Sequence, residues 1–337
     1  MKTDKFILAA LVISGALALG GCSNDNEPQP QSSFPADGQV HITTGIDDLI
    51  TRAGITNNNI HTKTIGFFFT TPGNSTYTYS NVKMEYKDDK WVATAAWNGS
   101  TPAPEMYWKD KETPVTVTAY SPWKINMTLQ ESLNYEGVAN QINDDAIEKA
   151  DLLLYKSTEV NPAISGSGGL TDGNIPLTLT HVLSKVVLGL TIGEDVKEAT
   201  TDLRITDVLI KGLKKDGTVK FDGSTTVTDD PDFVITTYEG YKTNGDLFDA
   251  PKPESTYEAI FFPQTVNVNQ LSVEVTLSDG RTYVYTLGEK CTFKSNTLYT
   301  LPILVGKTTK AVSFLKADIT ADAWDTNDTD LGNKLTD

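Results

Sequence analysis

Residues 39–53 read QVHITTGIDDLITRA, and the interpretation of the remaining chain depends on this stretch. Val40, Ile42 and Ile46 alternate with polar residues, which predicts a β-strand over 39–46 with one buried face. Arg52 follows within an expected exposed loop and is the only lysine or arginine between Cys22 and Lys63. We interpret the stretch as a separable strand followed by a place where a protease can cut. Arg52 is open to a second interpretation, a solvated loop residue without a special role.

The segment before this strand has the features of an export signal. A basic start precedes an uncharged run at 6–19, which is shorter than the roughly 20 apolar residues that span a bilayer. Such a pattern is typical of a signal peptide. The run ends in Leu-Gly-Gly-Cys at 19–22, which resembles the bacterial lipobox, in which the cysteine is lipidated and becomes the new N-terminus. We therefore expect residues 1–21 to be removed and Cys22 to carry a lipid anchor.

Length and composition favour two all-β domains. Without residues 1–21, the chain has 337 minus 21, or 316, residues, whereas single cores stop growing near about 250–300. Thr, Val, Tyr and Ile are abundant and turn residues recur at short intervals, which is typical of β-sandwiches. We expect a flexible tether over 22–37, an N-terminal domain over 38–195, a C-terminal domain over 196–325 and a polar tail over 326–337.

The elements of these domains follow from apolar alternation. The cleanest pattern is at 271–277, where a Ser-Asp-Gly turn leads into a second strand at 283–287 and predicts a hairpin. One short helix is expected at 140–150. The other predicted strands lie at 65–69, 77–79, 82–86, 91–93, 115–119, 177–192, 205–210, 259–264, 298–305 and 312–319.

Charge and cysteine content limit the possible partners. Removal of Lys2, Lys5 and Asp4 with the signal peptide leaves 26 basic and 43 acidic residues, a net charge of −17. Such a surface repels nucleic acid, so no nucleic-acid partner is expected. If Cys22 is lipidated, Cys291 has no partner for a disulfide, and we expect it to be a small buried residue at the start of a strand.

Residues that typically carry catalysis are sparse. The three histidines, His41, His61 and His181, lie in or beside predicted strands, and none has a cysteine or carboxylate at metal-site spacing. The sequence contains no Gly-x-Ser-x-Gly motif. We therefore expect no enzyme activity, no metal and no cofactor. Four tryptophans could form a sugar-binding platform, although aromatic residues at strand positions more often belong to the core: Trp91, Trp97, Trp108 and Trp123.

Several sequence blocks, in their order and spacing, resemble the fimbrillin family of Bacteroidales, which comprises major and minor fimbrial subunits. The resemblance covers nearly the whole chain after the signal peptide. The blocks are Leu-Gly-Gly-Cys at 19–22, Tyr-Trp at 107–108 with VTVTAYSP at 115–122, DLLLYKS at 151–157, His181 to Val186, AIFFPQT at 259–265, Tyr299 and Trp324.

The resemblance implies two tandem transthyretin-like β-sandwiches and polymerisation by donor-strand exchange. It also implies that the lipidated precursor reaches the surface of the outer membrane, where a trypsin-like Arg- or Lys-specific protease removes the first strand. Arg52 matches that processing position, so Ala53 becomes the new first residue. A strand from another fimbrial subunit, of the same or a different kind, then replaces the strand that carries Val40, Ile42 and Ile46. The expected donor is the last alternating strand, which carries Val312, Phe314 and Ile319.

Two functions are therefore expected as alternatives. The first is a structural subunit of an adhesive fimbria. The second is a monomeric surface lipoprotein that binds a glycan or another host or bacterial ligand, as a tip adhesin or capture module.

Overall fold

The computed structural model describes residues 33–46, 54–130, 132–197, 203–228, 233–240, 253–306 and 320–323. Strands dominate these residues, so the all-β prediction is confirmed. The helices in the described part of the chain are short: α1 (Asp144–Lys149), α2 (Glu194–Lys197) and one 3-10 turn (Ile60–Thr62). The expected helix at 140–150 is α1, and it begins later because the side chain of Asn143 caps it by accepting a hydrogen bond from Ala146 N. The sequence analysis missed α2.

Seven of the first eight strands form one sheet, in the order β1-β8-β7-β5-β2-β3-β4. Their bounds are β1 (His41–Ile46), β2 (Thr64–Thr71), β3 (Asn74–Lys87), β4 (Lys90–Ala95), β5 (Val115–Ser121), β6 (Leu133–Tyr135), β7 (Leu153–Val160) and β8 (Asn174–His181).

This seven-stranded sheet curls around its own core. Every one of its strands contributes to a single apolar cluster, the N-terminal core. The two end strands of the sheet meet, because Trp91 Nε1 on β4 donates a hydrogen bond to Thr44 Oγ1 on β1 over 3.0 Å. The core consists of Val40, Ile42, Ile46, Ile55, Ile60, Ile65, Phe67, Phe69, Val82, Met84, Trp91, Met106, Trp108, Val115, Val117, Ala119, Leu153, Val160, Leu170, Ile175, Leu177 and Leu179.

The remaining described strands form mainly a two-layer sandwich. One layer has the order β14-β15-β9-β20-β21 and the other β13-β10-β17-β18. Two smaller sheets have the orders β12-β11-β6 and β16-β19. The bounds are β9 (Ser184–Ile192), β10 (Ile205–Leu213), β11 (Gly217–Val219), β12 (Thr225–Val227), β13 (Phe233–Thr236), β14 (Tyr238–Gly240), β15 (Ser255–Phe261), β16 (Gln264–Val266), β17 (Ser272–Leu277), β18 (Thr282–Thr286), β19 (Cys291–Phe293), β20 (Thr297–Val305) and β21 (Thr320–Ala323).

Apolar residues of both layers fill the space between them. Alternate residues of β9, β15 and β20 on one side meet those of β10, β13 and β17 on the other. The predicted hairpin is confirmed as β17–β18, and its turn includes Gly280 at a φ of 85°, a left-handed conformation that glycine adopts readily. Cys291, expected to be buried, is only half-buried at the edge of this core, and burial raises the pKa of its thiol to about 11.

One strand prediction is wrong in an informative way. The long strand expected at 177–192 is two strands, β8 and β9, which lie in different sheets. The chain turns between them at Val182–Leu183, and both side chains are buried in a third cluster that also includes Phe68, Phe221 and Ile260. Continuous apolar character therefore concealed the break. The division into domains at 195/196 stays a prediction.

A second strand prediction is wrong for a local reason. The two strands expected at 77–79 and 82–86 are one strand, β3, whose register shifts along β2. Asn81 lies at the shift with a φ of 48°, and its side-chain Nδ2 donates to Lys124 O over 2.8 Å. This irregularity lets one long strand continue through a bend.

Candidate functional site

The site suggested by the sequence is the place that β1 occupies, which we call the β1 slot. β1 lies at an end of the seven-stranded sheet and pairs in parallel with β8, from His41 opposite Asn174 to Ile46 opposite Leu179. β8 pairs with β7 only at His181 and Thr180. Most of β8 therefore has β1 as its strand neighbour, and removal of β1 would leave this part of β8 without a strand on either side.

The chain just before β1 is held on its other edge. Trp108 N donates to Gly38 O over 3.0 Å, and Val40 N donates to Met106 O over 2.9 Å. Asp37 caps this start, because its Oδ1 accepts from Gln39 N over 2.9 Å. This bond, together with the bond from the His41 ring, holds the pKa of Asp37 below its ordinary value.

The apolar face of β1 lies in the N-terminal core. Val40, Ile42 and Ile46 are 6%, 4% and 4% exposed, whereas Thr43, on the opposite face, is exposed. Full burial of an aliphatic side chain contributes about 1.5–3 kcal/mol. The three side chains therefore account for much of the free energy that holds β1 in its slot.

Two polar side chains from outside β8 also hold β1. Trp91 donates its indole N–H to Thr44, as described above. Asn57 brackets the backbone of Ile46: its Oδ1 accepts from Ile46 N over 2.7 Å, and its Nδ2 donates to Ile46 O over 2.6 Å. The amide of Asn57 thus satisfies both backbone groups at the end of β1, as a neighbouring strand would. The sequence predicts neither contact, since an asparagine in a turn or a strand tryptophan does not identify its distant partner.

The chain that follows the predicted cleavage position has its own anchors. Asp151 Oδ2 accepts from Ile55 N over 2.9 Å, and the other oxygen of this buried carboxylate lies 3.0 Å from His181 Nδ1. Asn59 Nδ2 donates to Gly54 O over 3.0 Å and to Glu148 Oε1 over 2.6 Å. The chain from Gly54 onward is therefore fixed to Glu148 of α1 and to Asp151 by bonds that do not involve β1.

Of the residues predicted from sequence, the structure brings Val40, Ile42 and Ile46 together in the slot. The lipidation site Cys22, the processing pair Arg52 and Ala53, and the expected donor residues Val312, Phe314 and Ile319 lie outside the described residues. His181, expected to be a satisfied strand histidine, is buried beside Asp151.

Three further observations concern the tryptophans, the candidate metal ligands and the helices. Trp91 and Trp108 are buried in the N-terminal core, while Trp97 is 49% exposed, so the four tryptophans do not form one platform. Among the described residues, no group of three or more His, Cys, Asp or Glu side chains is placed to hold a metal ion. None of the described helices is long and apolar enough to cross a membrane.

Comparisons with known proteins place this geometry in a family. A structure of a candidate cell adhesion protein from Bacteroides uniformis matches with a TM-score of 0.56 at 16% identity, covering 86% of this chain and 99% of that one. A second candidate cell adhesion protein, from Bacteroides ovatus, matches with a TM-score of 0.56 at 16% identity, covering 84% and 95%. At this identity the matches show a shared fold. A comparison with curated proteins gives no match. The model of the fimbrillin-like family matches residues 51–324, a range that begins after β1, and the chain belongs to that family.

Proposed function

We propose that this protein is a structural subunit of an adhesive cell-surface fimbria, assembled by donor-strand exchange. In this proposal the precursor is anchored to the outer membrane through a lipid on Cys22. An Arg- or Lys-specific protease cuts after Arg52, β1 leaves, and a strand from a neighbouring subunit enters the slot. The observation that carries the proposal is the position of β1: it is the first described strand, lies at the end of its sheet and pairs with one strand, β8.

The slot cannot remain empty at low cost. Departure of β1 exposes the core neighbours of three buried aliphatic side chains and the backbone edge of β8. Exposed apolar surface costs about 25 cal/mol per Å², and an unpaired strand edge is a template for another strand. Entry of a donor strand restores both the backbone pairing and the apolar burial.

A single cut is sufficient for such an exchange. β1 ends at Ile46, and the chain from Gly54 onward is fixed separately through Asp151 and Asn59. A break after Arg52 therefore frees β1 from its covalent link while the rest of the domain keeps these anchors.

In the assembled fimbria, we propose that the strand carrying Val312, Phe314 and Ile319 is the segment given to the next subunit. The partners are then other fimbrial subunits, and the processed protein lies in the fimbrium and no longer at its lipid anchor.

Exchange can be tested on the folded chain with a labelled peptide of residues 38–46. After an arginine-specific protease cuts at Arg52, we expect the peptide to replace β1, detected as a rise in fluorescence anisotropy. The matched control is the Arg52→Gln chain, which keeps Arg204 and Arg281 but lacks the arginine between β1 and Gly54, and which should take up no peptide. Equal uptake by both chains, or none by the cut chain, would contradict the proposal.

A second candidate function is glycan or ligand binding at the surface. Trp97 is 49% exposed and Ile125 is 53% exposed, and Trp97 O accepts from Asn126 N over 2.8 Å, which places the two apolar side chains on adjacent loops. A specific glycan-array signal that disappears in Trp97→Ala and persists in Trp91→Phe would favour this function.

A further inference from the structure

Trp91 forms a side-chain hydrogen bond to a side chain of β1 from the opposite end of the sheet. It lies on β4, at the far end of the sheet order, and its Nε1 donates to Thr44 Oγ1 over 3.0 Å. Trp91 is only 5% exposed, so its N–H is shielded from water. A buried N–H without an acceptor is costly, and the hydroxyl of Thr44 prevents this cost.

The orientation of Trp91 does not depend on β1 alone. Its ring packs edge-on against Tyr86, with centroids 5.6 Å apart, and lies 6.1 Å from the ring of His61. His61 and Tyr86 in turn stack at 3.9 Å. These three aromatic rings all come from the chain after Arg52, so the N–H still lies in the slot when a different strand enters.

Asn57 and Trp91 impose different requirements on that strand. Asn57 bonds only to the backbone of Ile46, so it fixes where a strand ends and accepts any residue there. Trp91 bonds to a side chain, so it distinguishes residues that carry an acceptor from those that do not. Together with the buried positions of Val40, Ile42 and Ile46, these contacts define the pattern apolar-x-apolar-x-hydroxyl-x-apolar.

This pattern is rare in the chain itself. Among all serines and threonines of the sequence, only Thr44 has Val, Ile, Leu, Met or Phe at positions −4, −2 and +2. The proposed donor segment does not fit: when Val312 and Phe314 take the places of Val40 and Ile42, Lys316 takes the place of Thr44 and Asp318 that of Ile46. A lysine has no acceptor for the indole N–H, and the carboxylate of Asp318 would enter the apolar core.

We propose that Trp91 selects the strand that fills the β1 slot, and that this strand comes from a different protein, with Ser or Thr at the position of Thr44 and apolar residues at those of Val40, Ile42 and Ile46. The inference rests on the proposed strand exchange and adds the chemistry of the partner. This protein therefore occupies a junction with a subunit of another kind and does not accept its own donor strand.

The test uses the folded chain cut after Arg52 and a labelled peptide of residues 38–46. The unlabelled competitors are the parent peptide, three variants of it and a peptide of residues 311–319. Thr44→Val has the shape of threonine without the hydroxyl and should compete about five- to tenfold less well, the effect of one lost hydrogen bond. Thr44→Ser should compete as well as the parent. Thr43→Val is the matched control, because Thr43 is exposed, and should also equal the parent. A peptide of residues 311–319 should compete at least about tenfold less well, because it places Lys316 and Asp318 in the slot.

A second variant shows whether Trp91 is responsible. In the Trp91→Phe chain, which keeps an aromatic ring without the N–H, the parent and Thr44→Val peptides should compete equally. Equal competition by these two peptides on the parent chain would overturn selection by Trp91 and leave strand exchange intact. Equal competition by the 311–319 peptide would overturn the requirement for a different protein. Failure of the parent peptide to bind would overturn both the inference and the proposed function.

Discussion

The described strands include two parallel pairs, which differ in how firmly they are held. β1 pairs with β8 over six positions at the end of a sheet, and β20 pairs with β9 over nine positions inside a sheet. β20 has β21 on its other side, and β9 has β15. β1 therefore has one strand neighbour and β20 has two, although both pair in parallel. Only β1 can leave without dividing its sheet.

The polar groups that hold the strands are also more deeply buried in the C-terminal sandwich than at β1. Lys185 on β9 and Glu258 on β15 form an ion pair of 2.6 Å with both side chains almost fully buried. β1 is held through its own Thr44, which is partly buried, and by Asn57, which is exposed. Under the proposed strand exchange, the C-terminal sandwich is the permanent unit, and the β1 slot is the part of the fold whose occupant is replaced.

The largest expected effect concerns the buried ion pair. Lys185→Met leaves the Glu258 carboxylate uncompensated and should lower the free energy of unfolding by about 3–5 kcal/mol. The double variant Lys185→Met/Glu258→Leu should recover most of this loss, because it removes the buried charge as well. Urea denaturation of the three chains provides the measurement. A loss below about 1 kcal/mol for Lys185→Met would mean that the pair does not stabilise this sheet.

Alanine substitutions in the two parallel strand pairs should have similar effects on stability in the uncut chain and different effects once the chain is cut. Ile42→Ala in β1 and Leu301→Ala in β20 should each lower the free energy of unfolding of the uncut chain by about 2–4 kcal/mol. After cutting at Arg52 and exchange with the parent peptide of residues 38–46, the Ile42→Ala defect should disappear and the Leu301→Ala defect should remain. Persistence of both defects would show that β1 is as permanent as β20.

A smaller difference in stability cost is expected between the loss of two side-chain amides, each of which bonds to both the N–H and the C=O of one backbone residue. Gln141 bonds to Ile260 N and O over 2.9 and 2.7 Å in the buried interior, as Asn57 does to Ile46 near the surface. Gln141→Ala should cost about 2–3 kcal/mol, and Asn57→Ala about 1 kcal/mol, because water can reach the groups that Asn57 leaves. Urea denaturation gives both values, and hydrogen exchange at Ile46 should accelerate in Asn57→Ala alone. A larger cost for Asn57→Ala would contradict the ranking.

The smallest effect is a pH dependence on β3. Hydrogen bonds from Lys83 and then Lys87 lower the pKa of Glu85 to about 2. A lowered pKa contributes stability that is present above the unfolded pKa and is lost as the pH falls from about 5 toward 2. Because Glu85 is partly exposed, the contribution should be at most about 1 kcal/mol. Comparison of unfolding curves for the parent and Glu85→Gln at pH 6 and pH 3 measures it; an identical pH dependence in the two chains would exclude the contribution.

Much of the fold could be predicted from local pattern. Alternation was sufficient for β1 and for the β17–β18 hairpin, since one face of each strand is buried. The run at 177–192 was misread because its residues are buried on both sides of a turn, and apolar character alone does not distinguish one strand from two.

The candidate site was predictable only in part. The apolar residues of β1 follow from their period, but the contacts from Trp91 and Asn57 depend on how the sheet curls and on a turn after the strand. Such contacts join residues far apart in sequence, and one sequence carries no signal for them. The proposed partner pattern therefore required the structure.

The most direct test of a replaceable first strand is the N-terminus of the protein in filaments sheared from native cells. Mass spectrometry of the filament subunit should find Ala53 as its first residue, with the peptide that contains Val40 and Ile42 absent. A filament subunit that begins at lipidated Cys22 and retains β1 would contradict the account.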